Sequence, residues 1–165
     1  MTHLVDNAMS IDKTLISPGV IALDYYDGAT EGVALSVKEC GSCYFKLIAW
    51  GKGQDKRLYS VSRIDTSKYD QLLALLVRGQ KLPSVPVWLP EWKFRDKRDE
   101  QEANNLVDSF QVDICSSKLL VFGKDISDGS IMIIKINDQV MSEVNKILKF
   151  GKPDNLSNWL PMLGV

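Results

Sequence analysis

At 165 residues, with 45% hydrophobic and 25% charged residues, the chain has the size and balance of a single globular domain over 1–165. It is long enough to bury about 70% of its unfolded surface without disulfide or metal staples. Twenty Lys and Arg against twenty-one Asp and Glu leave a net charge of -1, so no long-range field gathers nucleic acid or anionic lipid.

Residues 1–17 are expected to be mobile. His3, Asp6, Asn7 and Asp12 deny them the continuous apolar run of a signal peptide. No later stretch approaches the ~18 apolar residues of a membrane helix, so the expected compartment is the cytoplasm, with no membrane partner. Strand patterning then begins at Val20–Tyr26 and stops at Asp27-Gly28-Ala29-Thr30, where Asp-Gly suits a hairpin turn. Val33, Leu35 and Val37 alternate with Ala34, Ser36 and Lys38, giving a second strand with one apolar face. Cys40-Gly41-Ser42-Cys43 is expected to turn the chain into a third strand, Tyr44–Trp50, and Gly51-Lys52-Gly53-Gln54-Asp55 into a fourth, Arg57–Ile64. Strands joined by such short links pair antiparallel, because a parallel pair needs a crossover of a dozen or more residues.

Behind Asp65, Tyr69, Leu72, Leu73 and Leu76 repeat at helical spacing until Gly79. A connection with Pro83, Pro86 and Pro90 follows, then a second helix over Asp96–Phe110 with Ala103, Leu106, Val107 and Phe110 on one face. The run Lys118–Phe122 and Ser130–Ile136, turned at Ser127-Asp128-Gly129, reads as a later hairpin. A last helix starts near Asp138, carries Val140, Val144, Ile147 and Leu148, and stops at Gly151 before Pro153. Residues 156–165 form an apolar tail. The class is therefore α+β: a four-strand antiparallel β-meander and a later hairpin in one curved sheet, with about three helices packed on it, in the order ββββααββα. Leu119 to Phe122 and Ile131 to Ile136 are apolar on both faces, which places their strands in the middle of a sheet covered on both sides. The helices would cover one side; the Pro/Trp segment with the tail, or a partner subunit, would cover the other.

The single histidine, His3, leaves Ser-His-Asp, Cys-His and zincin chemistry without its residues. Cys40 and Cys43 have redox or zinc spacing, but a strand follows where a thioredoxin-type pair needs a helix, and four zinc ligands are not at hand. The pair reads as hairpin chemistry, and no cofactor or metal is expected. Gly51-Lys52-Gly53 lacks the length and following helix of a phosphate loop. Arg95 to Glu102 alternates in sign like the wet face of a helix.

Two features resist a purely local explanation. Asp24 interrupts an apolar strand, and with Asp27 and Glu31 forms a carboxylate cluster suited to a ligand or metal. Trp88, Trp92 and Phe94 are large aromatics on a proline-stiffened connection, as recognition anchors are. The leading expectation is a non-enzymatic cytosolic binding or regulatory domain, of the inhibitor or immunity kind, meeting a protein partner through Trp88, Trp92 and Phe94. The alternatives are a small-ligand-binding protein or carboxylate-based enzyme with its pocket near Asp24, and a homo-oligomer joined through the tail or a sheet face.

Overall fold

The computed structural model describes residues 19–26, 28–52, 56–77, 94, 96–126, 129–150 and 152–164. Four strands come first: β1 (Val20–Tyr25), β2 (Ala29–Val37), β3 (Gly41–Trp50) and β4 (Arg57–Arg63). Helices α1 (Thr66–Val77) and α2 (Lys97–Asp113) follow, the latter running into a 3-10 turn at Ile114–Ser116. Then come β5 (Leu119–Gly123), β6 (Met132–Lys135), α3 (Asp138–Phe150), the two-residue β7 (Asp154–Asn155) and the single-turn α4 (Leu160–Leu163). The first six strands form one antiparallel sheet in chain order, and β7 lies parallel to the end of β3. The expected α+β order is thus the order found, with β7 added just before the tail and α4 within it.

Period-two alternation sorts the sheet into two faces. On the first, Ile21, Val33, Tyr44, Ile48, Leu58 and Leu120 meet Leu72, Leu75 and Leu76 of α1, Ala103, Val107 and Phe110 of α2, and Met141, Val144 and Leu148 of α3. Each such leucine stabilises the fold by about 1.5–3 kcal/mol. The second face gathers Val20, Ala34, Cys43, Phe45, Leu47, Tyr59, Val61, Val121 and Ile131 into a separate buried cluster with Val37, Cys40 and Ile126. Asp96 caps α2, its carboxylate accepting from Arg98 N at 2.9 Å, and Asn137 does the same for α3 through Val140 N at 2.9 Å.

Several sequence expectations change. Leu156 and Trp159 of the tail are buried in the helix-side cluster, not on the opposite face, and Trp159 Nε1 donates to Asp154 Oδ2 at 3.1 Å. β6 is apolar on both faces yet ends the strand order, with Ile134 packed on one cluster and Ile133 on the other. Two-sided apolarity therefore reports cover on both faces, not a central place in the sheet. The β2–β3 turn is made by residues 38–40, with Glu39 at φ 64, so Cys43 already lies within β3. Among the described residues no helix is long and apolar enough to cross a membrane.

Candidate functional site

β3 is central, and its first-face residues Tyr44, Lys46 and Ile48 lie beneath helices. Lys46 is the polar interruption. Around it the structure leaves a cleft of about 440 Å³. β3 supplies Tyr44 and Lys46, the end of α2 and its 3-10 turn supply Gln111, Ile114 and Cys115, and the last turns of α3 supply Asn145, Leu148 and Lys149. Helical spacing explains the grouping: Gln111 and Cys115 are four apart, as are Asn145 and Lys149, so each pair projects from one side of its helix.

The sheet wall of this cleft is a hydrogen-bonded set. The Tyr44 hydroxyl donates to Glu31 Oε2, and Gln111 Nε2 donates to the same oxygen at 3.0 Å, tying β2, β3 and α2 together. Burial, then the adjacent Glu31 carboxylate and the bond to it, hold the Tyr44 phenol far above its ordinary pKa. It is a fixed donor. A base or nucleophile would need the opposite shift. Lys46 lies directly across from Glu31 in register, yet its ammonium reaches Leu148 O at 3.4 Å, near the C-terminal end of α3, where a cation is favoured. Lys149 makes no hydrogen bond or ion pair with the described residues. Asn145 Nδ2 donates to Cys115 O at 3.0 Å, fastening α3 to the 3-10 turn and setting the width of the cleft. Its Oδ1 is buried and accepts nothing from the described residues, so the amide is held from one side only. Beyond Cys115 and Asn145 a second recess of about 540 Å³ continues past Ser116, Lys118 and Asp138.

The carboxylate cluster expected from the sequence is only partly assembled. Asp24 is not an inward carboxylate. A bulge in β1 sets Leu23 and Asp24 together against Glu31, so Leu23 stays in the core while the Asp24 side chain is exposed. Asp27 lies outside the described residues. Glu31 joins the cleft through Tyr44 and Gln111. Trp88 and Trp92 also lie outside the described residues, as do residues 1–17, whereas Phe94 is half-buried and packs against the helix-side core. Sequence reasoning did not pick out Tyr44, Lys46, Gln111, Cys115, Asn145 or Lys149. A lysine in the middle of an otherwise apolar strand was the available signal.

The other candidates are closed. Cys40 and Cys43 are buried, and burial raises both thiols above their ordinary pKa, the reverse of what a redox or metal-binding thiolate needs. Among the described residues no group of His, Cys, Asp and Glu could hold a metal ion. On the second face Arg57 is 2% exposed, its guanidinium 5.7 Å from the Trp50 ring and its Nη2 3.4 Å from Tyr26 O. A Cβ on Gly28, at φ +126, would stand 2.9 Å from Arg57 Nη1, so this turn needs glycine both for its backbone and for the arginine beneath it. No family model, curated protein or solved structure matches the chain.

Proposed function

We propose that the chain is a non-enzymatic cytosolic binding domain that takes a small ligand, or one group presented by a protein partner, into the cleft between β3, the end of α2 and α3. The observation that carries this reading is a cleft of small-ligand size, floored by Tyr44, Ile114 and Leu148 and edged by polar groups from three elements. Its ionisable wall favours recognition over catalysis: the phenol is locked as a donor, and the Glu31 carboxylate is already engaged by two donors. Phe94 packs on the core, which draws the recognition surface away from the aromatic connection and toward the cleft.

Cys115 supplies the test, because it lines the cleft and is the exposed thiol of the three. A panel of small acids, amides and aromatic compounds is screened by thermal shift on the native protein and on Cys115→Trp, whose indole fills the cleft. The expected result is that stabilising compounds slow the labelling of Cys115 and lose their effect in the plugged variant. Stabilisers that act equally on both proteins and leave Cys115 labelling unchanged would overturn the proposal.

A further inference from the structure

The polar edge of the cleft is unbalanced in charge. Two ammonium groups, Lys46 and Lys149, line it. The nearby carboxylate, Glu31, is held by the neutral donors Tyr44 and Gln111 instead of by either lysine. Among the described residues Lys46 makes only a long contact to a helix-end carbonyl, and Lys149 pairs with none. The apolar part of the lining comes from the Tyr44 ring, Ile114 and Leu148. At the ~30 Å³ that a water-sized group occupies in a liquid, the 440 Å³ cleft takes about fifteen such groups. We infer that the ligand of this cleft is a carboxylate on a compact apolar body, its head between Lys46 and Lys149 and its body over Tyr44, Ile114 and Leu148. This rests on the cleft being the binding site.

The chemistry is the same whether the carboxylate belongs to a free organic acid or to the C-terminus of a polypeptide. In both, the lysines act as point charges and the floor excludes water from one side of the ligand. Because the head sits at a partly wet edge, its contribution is that of an exposed ion pair, worth about a fivefold change in affinity and weakened by salt.

The test titrates the full chain with phenylbutyrate and with its neutral amide, phenylbutanamide, following backbone amide resonances by NMR. The acid is expected to shift Gln111, Cys115 and Lys149 and to bind about fivefold more tightly than the amide in dilute buffer, less so in added salt. In Lys46→Met/Lys149→Met the preference should vanish while the amide still binds. Lys46 also touches α3, so Lys149→Met alone, at an exposed position, provides the second variant and should lose part of the preference. Acid and amide binding equally within the cleft would overturn the charge inference and leave the cleft proposal standing. Neither compound entering the cleft would overturn both. A second arm compares N-acetyl-alanyl-phenylalanine with its C-terminal amide: an acid-selective dipeptide much tighter than phenylbutyrate identifies a polypeptide terminus as the source, and the reverse order a free acid.

Discussion

Tyr44 and Tyr59 sit on adjacent strands, both fully buried, and point to opposite faces of the sheet. The Tyr44 hydroxyl works in a network that reaches β2 and α2 and opens on a cleft. The Tyr59 hydroxyl lies near Arg57 without a well-formed hydrogen bond, inside a cluster of aliphatic side chains, its ring edge-on to Phe45 with centroids 5.5 Å apart. Equal burial therefore serves two ends. The second face is packing, tight enough that substitutions there register as stability. The first face carries an apolar core of its own and in addition holds polar groups between elements that meet at a gap, and only substitutions that line that gap should register as binding under the proposed reading.

The sharpest way to break the packed face is Gly32→Ala. Gly32 pairs with Phe45, whose ring lies over the missing side chain, and an added Cβ would meet Ile21 O at 2.2 Å and the Phe45 ring at 3.1 Å. The first of these is backbone and has no rotamer to escape into. The variant should lose roughly 3 kcal/mol, the top of the range for overpacking, read as a lower urea midpoint. A loss below about 0.5 kcal/mol would show that the β1–β2 ladder is looser than its register implies.

Alkaline pH probes both faces at once. Burial raises the Tyr59 phenol from its ordinary 10.0 to about 12, against the pull of Arg57, and raises Tyr44 and Cys43 further. A folded-state pKa above the unfolded one means that the unfolded chain releases its proton first. The stabilisation is therefore complete below pH 10 and is lost as pH rises toward 12, at up to about 1.4 kcal/mol per pH unit for one such group. Denaturant titrations should show stability falling over that window, with the Cys43 thiol starting the decline near pH 9. The slope should be smaller in Tyr59→Phe. An unchanged slope in that variant would place the Tyr59 hydroxyl in contact with solvent.

At neutral pH the two hydroxyls can be removed in parallel. Tyr44→Phe takes one of two donors from Glu31 and should cost about 1 kcal/mol, limited by the partial exposure of that carboxylate to water. Tyr59→Phe removes a hydroxyl that makes no well-formed bond and should change stability by less than about 0.5 kcal/mol. If the order were reversed, the polar network would belong to the second face.

Much of the fold was legible because strand periodicity and turn chemistry are local. Val33 and Leu35 at alternate positions, Leu72 and Leu76 at helical spacing, and Gly28 before Ala29 each carry their own explanation. The order of elements followed from those alone. The single apolar face expected of β2 is overturned: a register shift between Ala34 and Val37 turns Val37 into the second-face cluster, where Ala34 also packs. The cleft was not legible, since Glu31, Tyr44, Gln111 and Asn145 come from four elements, and nothing in one segment says which others it will face. Asp24 drew attention as a polar residue in an apolar strand. At the edge of a sheet a bulge can turn such a residue to water. Lys46 is the same signal in an inner strand beneath helices, and there it marked the cleft. The β2–β3 turn was placed too late because Glu39, at φ 64, shares the left-handed backbone with Gly41, at φ 70, so the turn falls at residues 38–40 and Gly41 already opens β3.

The smallest effect on stability, and the cleanest contrast between the faces, belongs to the thiols. Cys40 and Cys43 lie in the second-face cluster, at 5% and 0% exposure, with burial holding both protonated, whereas Cys115 is exposed at the cleft. The thiolate is the reacting species, so a water-soluble disulfide reagent should modify Cys115 quickly and the other two only as the fold opens. Native protein at neutral pH should therefore give one fast equivalent, and protein in strong denaturant three. Cys115→Ser should abolish the fast phase with a change in stability under about 0.5 kcal/mol, because its Sγ makes only a long contact with Gln111 O. Gly32→Ala, by loosening the strand that pairs with Cys43 through Ala34, should speed the slow phase while leaving Cys115 unchanged. Rapid modification of Cys43 in the unsubstituted protein would mean that the second face opens on its own, and the contrast between a closed second face and an open cleft would fall.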